Sequence, residues 1–331
     1  MVVHGKNALL GSHKKQMSSL ISRRKLPYCL FFSLFFPSLF LFAGTSCRRK
    51  DANSTQPGGS SLAGPINQKI ARRVVTLTPS LTELVFALGA GDRLVAVSDY
   101  CDYPEAVKAL PRVGSFLSPA IERILSLQPD LVLLDGVQAD AAAMLTQAGT
   151  HAVAVPMQDL AQVRAAFTRV GQHLGDRQAQ AAELLAKLDA QIAAVSARTA
   201  PQSPRKTLFV VDRQIGSLRG LVVAGPGSYL DELVRLAGGR NVFSDMSPRY
   251  AKVATEAIEE RQPDVILDAV HTDLAGAAAR RADWNELATV AAVRQGRVHI
   301  LANRMFVTPG PRLGDALRQI ADLLHPPSAT P

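Results

Sequence analysis

The sequence predicts an α/β protein of two similar lobes with mostly parallel sheets. The first observation is a pattern written twice. Residues 117–134 and 252–267 superpose with a shift of 134, which lays Gln128-Pro129-Asp130 on Gln262-Pro263-Asp264 and Glu122 on Glu256. In each copy a short helix is stopped by proline, which cannot continue the backbone ladder. An apolar run follows that reads as a buried parallel strand. The second observation is the alternation of strand and helix patterns along residues 73–324, the mark of parallel sheets with helices on their faces. The third is the stretch 160–200, rich in Ala, Gln, Leu, Arg and Asp. Its apolar residues at helical spacing (Leu184, Leu185, Leu188, Ile192, Val195) predict one long helix over 177–198. A repeat of this length means two lobes and not an array of small units, so function is sought between or across them.

The 331 residues suffice for two core-bearing domains. Residues 1–50 carry nine Lys or Arg and no acid; without them 28 basic residues face 28 acidic ones. The basic excess therefore belongs to the N-terminus and gives no support for nucleic-acid binding by the folded part. Arg23-Arg24-Lys25, an apolar stretch over 26–43 and the small residues before Cys47 make a secretory signal over 1–47, with Met17 an alternative start. Arg23-Arg24 also raises twin-arginine export, but Leu26-Pro27 fits that pattern poorly, and the general secretory route is expected. Gly44-Thr45-Ser46-Cys47 resembles a bacterial lipobox, with Gly44 where Leu is usual, so Cys47 is the expected site of lipidation. Residues 48–69 read as a flexible Gly/Ser-rich tether.

From there the elements follow in order. Residues 73–78 form a β-branched strand, and Ser80 with Glu83 is a capping-box pattern opening a helix that ends at Gly89-Ala90-Gly91. Residues 94–98 are the next strand, and 99–104 a turn-rich loop. The first repeated stretch, a helix over 139–147 and the strand 152–155 complete a lobe over 70–158. A helical connection over 159–204 stops at Pro201 and Pro204. The second lobe, 205–325, opens with the strand 207–211, and its helix at 227–238 echoes the first helix of lobe one. The second repeated stretch, a helix around Trp284, the strand 297–301, the loop 303–311 and a final helix to Leu324 follow.

The chemistry of the sequence points away from catalysis. Gly89-Ala90-Gly91 and Gly225-Pro226-Gly227 do not complete a dinucleotide fingerprint and read as helix caps. No nucleophile elbow occurs, and no histidine pair has metal-ligand spacing. His151 and His299 are expected to be packed; His271, just past the strand 265–269, is the one histidine placed to face a ligand. With two of three cysteines in the N-terminal segment, Cys101 is the only thiol of the folded part. Eleven aromatics lie beyond the signal, and Tyr100, Tyr103, Phe116, Tyr250 and Phe306 all fall in loops after strands or before helices. Ligands in open α/β sheets bind outside the carboxyl ends of strands, so these residues predict a pocket. Glu122 and Glu256 stand near helix starts, where the dipole favours a carboxylate. That does not explain why both copies keep Glu there while Leu125 meets Glu259 and Leu127 meets Arg261.

Residues 73–84, 98–104, Ile121-Glu122-Arg123-Ile124 with Gln128-Pro129-Asp130, and 227–233 resemble the periplasmic binding proteins of ABC importers for iron siderophores, haem and corrinoids. The resemblance spans about 73–324. It implies two Rossmann-like lobes joined by a single long rigid helix, a ligand cleft between them, and no enzyme activity or cofactor. The implied function is capture of a corrinoid such as cobalamin, with haem or a ferric siderophore as alternatives, and a nucleotide-dependent enzyme as the remote one. A structural lipoprotein would leave the paired glutamates without purpose. The implied ligand residues are Tyr100, Phe116 and Tyr250, with Phe306 and Arg304 from the loop 304–311, and no metal site. That loop lacks the acid that the family's corrinoid binders carry beside their arginine. For haem, Tyr100, Tyr250 or His271 would be the iron ligand. The implied partners are a permease dimer with its ATPase subunits, gripped by Glu122 and Glu256, for a monomeric receptor outside the cytoplasm.

Overall fold

The computed structural model describes residues 69–270 and 276–326. The signal, Cys47, the tether before Lys69 and His271 lie outside them. The first sheet is wholly parallel, in the order β2-β1-β3-β4, from β1 (Val74–Thr76), β2 (Leu94–Val97), β3 (Leu131–Asp135) and β4 (Ala152–Val155). The helices α1 (Pro79–Ala87), α2 (Ile121–Ser126) and α3 (Ala139–Gln147) connect them. The second sheet has the order β10-β9-β5-β6-β8, from β5 (Arg205–Asp212), β6 (Val222–Ala224), β8 (Tyr250–Lys252), β9 (Val265–Ala269) and β10 (Val298–Leu301). A short β7 (Gly239–Asn241) also pairs with β5. The strand β6 runs antiparallel to β5 and β8, so this sheet is mixed where its counterpart is not. Its helices are α6 (Tyr229–Leu236), α7 (Thr255–Arg261), α8 (Ala277–Asp283), α9 (Ala291–Arg294) and α10 (Leu313–Leu324).

The repeated stretch is a device for joining a helix to a strand. Gln128 and Gln262 both adopt positive φ, 48° and 46°, uncommon for a residue with a side chain. The cause is the following proline, whose ring disfavours continued right-handed helix in the residue before it. Asp130 then accepts from the amides of Arg72 (2.9 Å) and Arg73 (3.0 Å), and Asp264 from that of Lys206 (3.0 Å). Each aspartate amide donates back to the same strand approach, at 2.9 and 2.7 Å. Both copies thus pin the end of a helix to the start of a central strand.

The apolar runs divide by alternation. Leu131 and Leu133 face one apolar cluster, Val132 and Leu134 another; Val265 and Leu267 are split from Ile266 in the same way. The inner faces of both sheets share one continuous cluster, which runs through α4 (Leu160–His173) and α5 (Gln178–Thr199) by way of Phe167, Leu188 and Val195. The long helix lies within one residue of its predicted bounds. It is tied to the second lobe by Arg198–Asp322 (2.6 Å), Gln191 donating to Asp315 (3.2 Å) and the Thr199 hydroxyl donating to the Leu236 carbonyl (3.1 Å). Arg164 of α4 pairs with Asp189 of α5.

Several local expectations are corrected. The cap of α1 is Thr78, whose Oγ1 accepts from the Leu81 amide (3.3 Å), with Pro79 in the first turn. Glu83 does not return to a cap, because it is bound by Arg312 from the other lobe. His151 is exposed, with its Nε2 3.2 Å from His173 Nδ1. The second lobe also holds a buried charge network for which the apolar pattern of β9 gives no sign. Asp268, inside the apolar run of β9, accepts from Arg213 (3.0 Å), Arg280 (2.7 Å) and the Trp284 indole (2.9 Å). It supplies the partners that buried charges require. Cys101 is buried among Thr82 and Ser98, at 3.1 and 3.2 Å, and burial pushes its thiol pKa up.

Candidate ligand cleft between the lobes

A cavity of about 690 Å³ opens between the carboxyl ends of the two sets of parallel strands. Lobe one contributes Thr78, Pro79 and Ser80 after β1, Phe116 before α2, Asp135 at the end of β3, and Met157 and Gln158 after β4. Lobe two contributes Val211 at the end of β5, Tyr229 and Leu230 opening α6, residues 248–250 leading into β8, and residues 307–309 after β10. The walls are largely apolar with a few polar groups, the usual make-up of a small-molecule site.

Phe116 and Tyr250 line this cavity from opposite lobes. The carbonyl of Phe116 accepts from the Gln138 side chain (2.7 Å), which fixes its loop. Tyr250 is 38% exposed. Burial, with Asp135 adding to it and Arg249 opposing it, pushes the Tyr250 phenol up to about 12, so it stands in the cleft as a hydrogen-bond donor. Tyr229 lies deeper, raised well above the usual range by burial. Burial also raises the Asp135 carboxyl, against the pull of the Val137 amide it accepts from (3.0 Å). Arg249 donates to the Gly227 carbonyl (2.7 Å) and the Gln158 side chain (2.9 Å), bridging the lobes at the cleft wall.

Three of the residues expected to meet ligand are elsewhere. Phe306 is 4% exposed and belongs to the shared core, where the apolar demand of the packed helices outweighs its place in a loop. Tyr100 and Arg304 do not line the cavity. Arg304 crosses to lobe one, pairs with Asp102 (3.1 Å), donates to the Tyr100 carbonyl (3.1 Å) and lies 5.9 Å from the Tyr100 ring centroid. Arg304 thus ties the last loop of lobe two to lobe one. Arg312 does the same with Glu83 and sits 4.1 Å from the Tyr103 ring. Sequence reasoning missed Asp135, Met157, Gln158, Tyr229 and Arg249. The signal for most of them was their position just after a strand or at a helix start on the cleft side.

Glu122 and Glu256 are exposed in the first turns of α2 and α7, which have no side-chain N-cap. Among the described residues neither pairs with a cation; Glu256 accepts only from the Thr255 hydroxyl, at 3.3 Å.

This arrangement, two α/β lobes and a long helix around an inter-lobe cleft, has counterparts. The family model described as periplasmic binding protein matches residues 74–305. The chain belongs to that family. Its relatives include the uncharacterised ABC transporter substrate-binding lipoprotein YvrC of Bacillus subtilis, 27% identical over 78% of this chain and 82% of that one. The periplasmic vitamin B12 binding protein BtuF of Vibrio cholerae is similar in structure, with TM-score 0.67 and 26% identity over 77% of this chain and 96% of that one. So is the periplasmic haem-binding protein RhuT of Roseiflexus sp. RS-1, with TM-score 0.68 and 28% identity over 77% and 98%. As a periplasmic binding protein, the chain is a substrate receptor of an ABC importer and not an enzyme. It works outside the cytoplasm with a permease, an ATPase and a small-molecule cargo.

Proposed function

We propose that the cargo is a corrinoid such as cobalamin, delivered to the permease dimer of an inner-membrane importer and its ATPase subunits. The observation that carries this reading is the pair Phe116 and Tyr250, which face one broad cavity from opposite lobes. Two such side chains offer large, rigid apolar faces to a flat macrocycle. The Asp135 carboxyl and the Tyr250 phenol supply an acceptor and a donor for the carboxamides at a corrin's edge. Haem is the second reading, favoured by the Tyr250 hydroxyl, which ferric iron would bind as phenolate after loss of its proton. A receptor of this kind needs no partner subunit for its cleft, so a monomer fits, with Cys47 as the lipid anchor.

Calorimetric titration of the purified chain with cyanocobalamin, haemin and ferric siderophores tests the assignment. Saturable one-to-one binding of cyanocobalamin is expected. Binding of haemin alone, or of a siderophore alone, would overturn the corrinoid reading.

A further inference from the structure

Among the described residues two large apolar side chains stand almost wholly in water, one in each lobe: Leu117 at 88% and Ile215 at 87% exposure. A single exposed apolar residue is ordinary, but the setting of these two is shared. Leu117 lies in the loop that leads into α2, whose first turn carries Glu122. Ile215 lies in the loop after β5 and lines one surface depression with Val253, Ala254 and Thr255, which lead into α7 and Glu256. In sequence the two are unrelated, for the repeat lays Leu117 on Ala251. Both loops are at the carboxyl ends of the parallel strands, the end at which the cleft opens. Each lobe therefore shows, on the side of the cleft mouth, an exposed apolar side chain in a loop that leads into, or borders the approach to, a helix whose first turn carries a carboxylate that no cation of the described residues neutralises.

Neither apolar residue serves the cargo cavity. Phe116 lines it while the adjacent Leu117 does not, and Ile215 borders different depressions. We propose that Leu117 and Ile215 are paired apolar anchors that seat the receptor on the importer's permease, each inserting beside a carboxylate that meets a permease cation. This rests on the reading of the chain as an importer receptor and deepens it by naming the contacts on its docking face. The occupant follows from charge and from number. Two unpaired carboxylates beside the apolar tips would be repelled by anionic lipid headgroups, whereas they complement cationic side chains of a protein. Two similar patches, one per lobe, fit a partner made of two permease subunits. Interfaces concentrate their affinity in a few desolvated side chains, and charged neighbours add orientation and steering.

The test uses Leu117→Ser, Ile215→Ser and the double variant of the full chain, with the permease–ATPase complex in nanodiscs. Affinity for that complex is read beside cyanocobalamin titration, thermal melting and sedimentation with protein-free vesicles of anionic phospholipid. Each single variant is expected to bind the complex about 10-fold more weakly and the double about 100-fold, with melting and cargo titration as in the parent. An unchanged affinity of the double variant for the complex overturns the proposal. So does a loss of cargo binding without a loss of docking, which would return both residues to the cleft. Vesicle binding by the parent that the double variant loses would assign the anchors to lipid, and overturns it as well. If the parent docks through these residues but takes up no cyanocobalamin, the anchors stand and only the cargo assignment fails.

Discussion

Glu83 and Arg312, 229 positions apart, join the two lobes through a bidentate ion pair of 2.8 and 2.6 Å. The glutamate side chain is 4% exposed and the arginine 18%. Burial pushes the Glu83 carboxyl up, while the hydrogen bonds and charge of Arg312 pull it back. Together with Arg304–Asp102 on the same flank, Arg249–Gln158 at the cleft wall and the shared core along α5, this fixes the lobes at several separate points. Hinge motion needs a few residues able to absorb backbone change, and a continuous helix offers none. The lobes are therefore expected to move little relative to one another when cargo binds.

Removing one partner of that pair leaves the other charge buried and uncompensated. Glu83→Gln is expected to lower the unfolding free energy by about 3 kcal/mol, and Glu83→Leu with Arg312→Met to recover most of the loss. Urea denaturation of the parent and the two variants measures this. A double variant as unstable as the single would mean that the pair itself contributes the stability.

Phe116 and Tyr250 are expected to act on affinity, and Phe306 on stability. Alanine at either cleft position should weaken cargo binding by about 10-fold or more with little change in melting. Phe306→Ala should cost roughly 3–5 kcal/mol of stability, as buried aromatics do, with affinity kept in the folded fraction. Calorimetry beside thermal melts separates the two classes. A Phe306→Ala protein that folds normally but loses cargo would restore the position expected from its loop.

Glu122→Ala and Glu256→Ala should leave cargo affinity unchanged and weaken uptake, with the double variant near inactive. Truncating one partner of a desolvated interfacial pair costs about 2–5 kcal/mol, far more than loss of a rim charge. Uptake of labelled cargo in cells at matched expression is the measurement. Normal uptake by the double variant would leave both residues as first-turn carboxylates and nothing more.

His173 gives the stability a pH dependence. Burial, and then the nearby His151 and Arg169, lower its pKa, so the folded state favours the neutral ring. The unfolded chain then binds more protons, and stability falls as pH drops through the ordinary histidine range near 6.5. Between pH 7.5 and 5.0 the parent should lose more stability than His173→Gln. Equal losses in both would show that the ring is not the source.

Cys47, outside the described residues, is expected to hold the chain on a membrane. Cys47→Ala should move the exported protein from the membrane fraction to the soluble one. An unmodified mature N-terminus by mass spectrometry in the parent would contradict the anchor.

The sequence by itself determined the two-lobed α/β plan, the long helix and the family. These rest on short-range signals: prolines that stop helices, periodic apolar residues, and a motif repeated with its Gln-Pro-Asp turn. It also marked Phe116 and Tyr250, because loops at the carboxyl ends of strands are where a parallel sheet leaves backbone groups and side chains free. What it could not decide was direction. Tyr100, Arg304 and Phe306 stand in the same class of loop, yet two of them clasp the lobes and the third fills the core. That outcome depends on which charge and which apolar surface arrive from residues about 200 positions away, as with Asp102 for Arg304 and Glu83 for Arg312. Only tertiary packing brings those together, since the energy of an ion pair is set by its partner and by how far the two are desolvated, neither of which is a property of local sequence.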